Sequence, residues 1–206
     1  MACFGRKRPD FDEEAQNIFR QLNLTQTSAP SSKYRPLDAI WKHPRTGGTL
    51  FIGNVEAASN LSMLQEKGIT HVVNCTDSMP LYHEATGKIK YHRFDIAGWW
   101  KHIKSTGDHD ATRVFFEPVL TFVGDALADG KSVMVHCLAG AHRAGTTGCA
   151  CLMHFCGMDM QSAITAAKKC RPVVDPIGGL PELLQKLDKA NKDDNPRNRY
   201  PEKHFQ

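Results

Sequence analysis

The sequence predicts an α/β fold: a central, mostly parallel sheet flanked by helices, with an amphipathic helix ahead of it. Three observations carry this. From Leu50 onward, short apolar runs of strand length alternate with longer runs of helical periodicity. One junction, Val133-Met-Val-His-Cys-Leu-Ala-Gly-Ala-His-Arg-Ala-Gly-Thr-Thr-Gly148, reads as strand, tight loop and helix in that order. Between Asp10 and Leu24, Phe11, Ala15, Ile18, Phe19 and Leu22 recur at helical spacing, with Glu13 and Glu14 in the first turn.

In chain order, residues 1–33 read as an N-terminal extension holding that amphipathic helix, followed by a polar linker from Thr25 to Pro30. The helix either docks on the main domain or serves a partner. The domain spans 34–190. Leu50 to Ile52 is a strand after the Gly47-Gly48 turn, Ala57 to Lys67 a helix ended by Gly68, and Ile69 to Cys75 a strand. Ile89 to Ile96 is another strand, Ala111 to Ala128 a helix stopped near Gly130, and Val133 to Val135 a buried strand. A helical run to Cys156, then Met160 to Cys170 and Pro181 to Lys189, complete the helices, the last opening with proline in its first turn. Residues 191–206, rich in Asn, Asp, Lys, Arg and Pro, read as a polar tail.

The junction at Val133 carries the chemistry. A loop between a strand end and a helix start aims successive backbone N–H groups into one concavity, and the helix dipole adds partial positive charge there. An anion belongs in such a place. Cys137 at the loop's mouth feels the same field, which favours thiolate over thiol. Arg143 closes the loop with a planar fork able to hold two phosphate oxygens, a geometry lysine lacks. Leu138, Ala139, Gly140, Ala141, His142 and Arg143 thus form a candidate phosphate cradle, with Cys137 as a nucleophile aimed at phosphorus.

The run His136-Cys137-x5-Arg143, with Gly140 inside it, resembles the signature of cysteine-based protein phosphatases, and Leu138-Ala139-Gly140 is similar to their dual-specificity branch. Leu50-Phe-Ile-Gly-Asn54, Ala57-Ala-Ser-Asn-Leu61, Gly68-Ile-Thr-His-Val-Val-Asn74, Phe115-Phe-Glu-Pro118 and Arg171-Pro-Val-Val-Asp-Pro176 resemble other segments of that family. The likeness runs from Leu50 to Asp188. It implies a fold of the cysteine-phosphatase type and a metal-independent, cofactor-free hydrolysis of phosphoprotein. It also implies that His136 steadies the loop through a backbone hydrogen bond. Some relatives pair the nucleophile with a cysteine on the second strand, which implies a reversible Cys75–Cys137 disulfide under peroxide.

Two departures from the family pattern bear on activity. Many relatives place Ser or Thr after the signature arginine to help the thiolate leave; here the residue is Ala144, with Thr146 and Thr147 as distant substitutes. The family's general-acid aspartate falls at Gly98. The longer loop that follows, from Trp99 to Asp110, offers Asp108 and Asp110, and Asp95 precedes it at the strand end. Asp108 lies 29 residues before Cys137, close to the family's separation, and is the candidate acid. Trp99 and Trp100 would wall the site or anchor its loop. His142 would line the cradle's rim or add charge to it. Leu138 and Ala141 stand where the lipid 3-phosphatases carry lysines, which disfavours inositol lipids. Asp175 stands where relatives often have serine.

Composition narrows the rest. The 206 residues are 41% apolar with a net charge of +4, and no apolar run approaches membrane-spanning length. Without a dense basic block, nucleic acid is not an expected partner. Seven cysteines with no metal-ligand spacing suit a reduced compartment, the cytoplasm or nucleus. Cys3 beside Arg6-Lys7-Arg8 offers peripheral membrane attachment as a minor alternative. The expected partner is a phosphorylated protein, with oligomeric state left open. The sequence therefore indicates a dual-specificity phosphatase forming a phosphocysteine intermediate; the alternative is a phosphate-binding pseudophosphatase acting as an interaction module.

Overall fold

The structure, a computed structural model, describes residues 9–22, 34–105 and 107–192. Five strands form one sheet: β1 (Leu37–Lys42), β2 (Thr49–Gly53), β3 (Ile69–Asn74), β4 (Lys90–Arg93) and β5 (Ser132–His136), in the order β1-β2-β5-β3-β4. Only β1 runs antiparallel to its neighbour; β2, β5, β3 and β4 are parallel. Parallel strands need crossovers, and helices supply them. α2 (Val55–Ser59) and α3 (Leu61–Glu66) cross from β2 to β3, a short 3-10 turn (Glu84–Thr86) lies between β3 and β4, and α4 (His109–Ala128) crosses from β4 to β5, while α5 (Arg143–Cys156), α6 (Met160–Cys170) and α7 (Leu180–Lys192) follow the last strand and α1 (Phe11–Gln21) lies ahead of the sheet.

The period of two in β5 assigns its faces. Val133 and Val135 join Leu50, Ile52 and Val73 in the larger core with α4, α5, α6 and α7. Met134 points the other way, into a smaller core with Ala57, Ala58, Leu64 and Ile69. As the central strand, β5 is covered on both faces, and its carboxyl end opens where the parallel strands all end.

The structure refines the expected elements for local reasons. The single helix over 57–67 is two, because the Asn60 side chain accepts from Met63 N and restarts the chain as α3. The strand over 89–96 stops at Arg93, and Ile96–Lys101 is a 3-10 turn whose Gly98 N–H is capped by Asp95. Helix α7 runs through Lys192, two residues into the segment expected as the polar tail. The extension's helix is α1, capped by Asp10, which accepts from the amides of Asp12 and Glu13. Strand β1 has no counterpart in the sequence reading, since Asp38 is buried within it and blurs its alternation. The linker, Cys3 and its basic cluster, and residues 193–206 lie outside the described residues. Among the described residues, no helix is long and apolar enough to cross a membrane.

Candidate active site

The loop from Cys137 to His142 joins β5 to α5, and its orientation follows from where its carbonyls are held. The Leu138 carbonyl accepts from Val55 N at 3.0 Å, and the Ala141 carbonyl from Asp175 N at 3.1 Å. The Gly140 carbonyl accepts from Arg171 Nε at 2.8 Å. The Ala139 carbonyl takes two donors, Tyr34 Oη at 2.8 Å and Arg171 Nη2 at 3.0 Å. Four consecutive carbonyls are thus fixed to the surrounding scaffold. In a trans peptide the N–H points opposite to the C=O of the same unit. The amides of Ala139, Gly140, Ala141 and His142 therefore face the opposite way, into the concavity, and none donates to another described residue. Backbone donors turned together into one concavity in this way have the arrangement that suits an anion.

Gly140 is required by this path. Its φ is +66°, and a Cβ there would lie 2.5 Å from the Gly53 carbonyl and 2.8 Å from Arg171 Nη2. Arg171 itself is 1% exposed, donates to the Arg35 carbonyl at 2.8 Å and pairs with Asp38 Oδ2 at 2.6 Å. Its guanidinium lies over the Tyr34 ring, whose hydroxyl also accepts from Asn54 Nδ2. Burial pushes the Tyr34 pKa up to about 12, so this hydroxyl remains a donor. The sequence reading placed Arg171 in a family-like segment without giving it a role. An arginine preceding proline after a capped helix was the available signal.

Cys137 is 3% exposed and Arg143 6% exposed. Arg143 opens α5, Nη2 pairs with the Asp12 carboxylate from α1, and its guanidinium carbon lies 5.6 Å from the Phe11 ring centre. Its Nε is buried with no hydrogen-bond partner among the described residues. Burial works against the Arg143 charge, but the Cys137 sulfur and Asp12 outweigh it and its pKa is raised. His142 lines the rim: its Nδ1 lies 2.5 Å from the Asp175 carbonyl. Asp175 thus clamps the loop through its backbone, while its side chain pairs with Lys168. Ala144 offers no hydroxyl, and Thr146 and Thr147 donate theirs to the carbonyls of His142 and Arg143.

His136 corrects an expectation. Both ring nitrogens are buried without a partner among the described residues. Burial pulls its pKa down to about 4, and the Cys137 backbone opposes this without meeting hydrogen-bond geometry. The ring is a neutral filler beneath the loop.

Each of the three candidate acids has a local partner. Asp108 caps α4, accepting from Ala111 N at 2.9 Å. Asp110 is held by Arg113 at 2.9 Å. Asp95 caps Gly98 N at 3.1 Å with Lys101 nearby at 3.6 Å, and a Cβ on Gly98 would collide with its Oδ2. Trp99 anchors the loop: it is buried against Gly179 with Lys186 over its ring. Trp100 is partly exposed.

Cys75 follows β3 as Cys137 follows β5. Asn74 and His136 are in register, and Cys75 N donates to the His136 carbonyl at 2.8 Å. The two cysteines are therefore next neighbours on adjacent strand ends, roughly 5 Å apart by strand spacing, within the Cα separation a disulfide bridges. Both are free thiols here, and burial pushes Cys75 up to about 12.

Comparison with known proteins agrees with this geometry. Residues 50–189 match the model of the dual specificity phosphatase catalytic domain, and the chain belongs to that family. It is 30% identical over 142 residues to dual specificity protein phosphatase 1 of Arabidopsis thaliana, covering 68% of this chain and 66% of that one. Human dual specificity protein phosphatase 6 is 30% identical over 127 residues, covering 62% of this chain and 31% of its own length. The chain thus spans about a third of that relative. Human DUSP28 shares the fold with a TM-score of 0.62 at 23% identity, over 80% of this chain and 99% of that one.

Two outcomes follow from the loop's bracing. Arg171→Met strands three backbone carbonyl bonds and the buried Asp38, and should lower stability by about 3 to 5 kcal/mol; urea unfolding reads this as a fall in midpoint. His136 binds a proton less readily when folded (pKa about 4) than when unfolded (6.5), so the unfolded state takes up the extra proton between those values. Stability should therefore fall as pH drops from 6.5 to 4. The loss from this residue is of order 3 kcal/mol, and His136→Asn should flatten that part of the stability profile.

Proposed function

We propose that the chain is a metal-independent protein phosphatase that hydrolyses phosphotyrosine, and also phosphoserine and phosphothreonine, through a phosphocysteine intermediate. The observation that carries this is the set of inward amides left open between a thiol and an arginine. The phosphoryl oxygens bind the cradle from Leu138 to Arg143, with the Arg143 fork replacing water around them. The Cys137 thiolate attacks phosphorus, the bond to the ester oxygen breaks, and that oxygen takes a proton from a carboxylic acid. Water then attacks the phosphocysteine, giving its proton to the same carboxylate. The sulfur–phosphorus bond breaks and inorganic phosphate leaves.

Asp108 is the proposed acid on its spacing. Asp95 is the second candidate, favoured by one observation: its carboxylate fills the space where a side chain at position 98 would start. Losing the acid matters least for phosphotyrosine, whose phenolate is the better leaving group. Ala144 removes a hydroxyl that would assist the departing thiolate, so the second step is expected to limit turnover. Seven cysteines without metal-ligand spacing suit a reducing compartment, so action on phosphoproteins in the cytoplasm or nucleus is part of the proposal.

Steady-state hydrolysis of an aryl phosphate across pH, with a chelator present, tests this. Turnover should survive the chelator and vanish in Cys137→Ser. One of Asp108→Asn and Asp95→Asn should lose about 10² to 10⁴ in rate together with the basic limb of the pH profile. A stoichiometric burst without steady state would instead favour the phosphate-binding module. After peroxide, wild type should regain activity with a dithiol reductant and yield a Cys75–Cys137 linked peptide. Full recovery in Cys75→Ser would refute the disulfide.

A further inference from the structure

Helix α1 lies on the cradle itself. Ala15, 2% exposed, packs against Ala139 and Ala141, with Ile18, Phe19, Leu138 and Val173 around them. Phe19 meets Tyr34 edge-on at 5.9 Å. Pro9 sits over Gly178 so closely that a Cβ there would come within 2.5 Å of its ring. In the helix's first turn, Asp12 points its carboxylate at Arg143, and Phe11 covers the guanidinium. The two groups that should meet a phosphoryl group, Cys137 and Arg143, are almost fully buried, and α1 supplies part of the cover over Arg143. The helix also brings an anion to the cradle's own cation.

We infer that α1 is an intramolecular pseudosubstrate: the Asp12 carboxylate takes a phosphoryl oxygen's place on Arg143, and the helix holds the site shut until it is displaced. This rests on the phosphatase reading for what Arg143 binds. Packing alone would account for Ala15 and Phe19 but not for a carboxylate on the one arginine of the cradle. The helix belongs to the same chain as the cradle, so its docking is intramolecular and weak contacts suffice to hold it. Asp12 remains 55% exposed on its side chain, which leaves the pair open to competition. What displaces it must bring more charge to Arg143 than one carboxylate, as a phosphate dianion does. It must also offer apolar side chains for the shelf of Ala139, Ala141, Leu138 and Val173.

The test uses the full chain with three substitutions: Asp12→Asn, Ala15→Gln and, as a charge control, Glu13→Gln. Glu13 is exposed on the same turn. Ala15→Gln keeps charge and helix propensity while placing a longer side chain against the cradle. Two quantities are read: the rate of Cys137 alkylation by iodoacetamide, and kcat/KM for an aryl phosphate. If the open state is populated at about one part in ten, both Asp12→Asn and Ala15→Gln should raise each quantity about tenfold, with Glu13→Gln unchanged. Rates within about twofold of wild type in both variants, with thermal unfolding showing them folded, would overturn the proposal. Should Ala15→Gln fail to fold, Asp12→Asn alone decides. Alkylation accelerated with no turnover in any variant would leave the pseudosubstrate standing and remove the phosphatase reading instead.

Discussion

The structure depends on the fixing of four successive carbonyls, Leu138 to Ala141, by donors outside the loop. Each peptide plane has one orientation to choose, and a held carbonyl chooses it for the amide behind. The donors come from distant parts of the chain: Tyr34 before the sheet, Val55 opening α2, Arg171 ending α6 and Asp175 beyond it. Strand β5 delivers the loop to the centre of the sheet, and α5 fixes its far end. A buried arginine is costly to desolvate, and Arg171 offsets that cost with Asp38 and three carbonyls, four of its five N–H donors being used. The fold's long-range contacts converge on keeping six residues of backbone from relaxing.

Charge completes what geometry begins. The groups beneath the cradle are neutral or held neutral: His136 by burial, and Cys75 with its proton kept on to a pKa of about 12. Arg143 is left as the cation inside the loop, retained in its charged form by the Cys137 sulfur and by Asp12 despite its burial. An arginine this deep without a counter-anion would be poorly placed, which is why its partner in the resting molecule is informative.

The alternation of strands and helices, the strand–loop–helix junction and α1 were all legible because each carries a period or a cap that local sequence expresses. Met160–Cys170 is found at its expected bounds because Asp159 caps it and Arg171 ends it. Cys137 and Arg143 were legible because their spacing is set by a loop closed within one peptide stretch. What was hidden depended on partners far away in sequence. Strand β1 is obscured by Asp38, whose burial makes sense only beside Arg171, 133 residues later. Arg171 looked like a helix end, and its hold on Gly140 is a tertiary fact. The Asp12–Arg143 pair spans 131 residues, and nothing in the pattern of α1 distinguishes a docking face from one that carries an anion to the site.

A carboxylate is a suitable occupant because it is an inferior one. It brings a single charge to Arg143, while the inward amides of Ala139 to His142 remain without an acceptor among the described residues. A phosphate monoester carries nearly two charges near neutral pH and has three terminal oxygens, enough to engage the arginine and several amides at once. An internal occupant that filled every donor would compete with substrate on equal terms at a far higher local concentration, and the site would stay shut. With its carboxylate on Arg143 and its apolar side chains on Ala139 and Ala141, α1 leaves the strongest interactions of the cradle unused. The free energy held in those open amides is available only to a ligand with the geometry of a phosphoryl group, which makes the same loop both the reason the helix can bind and the reason it can be removed.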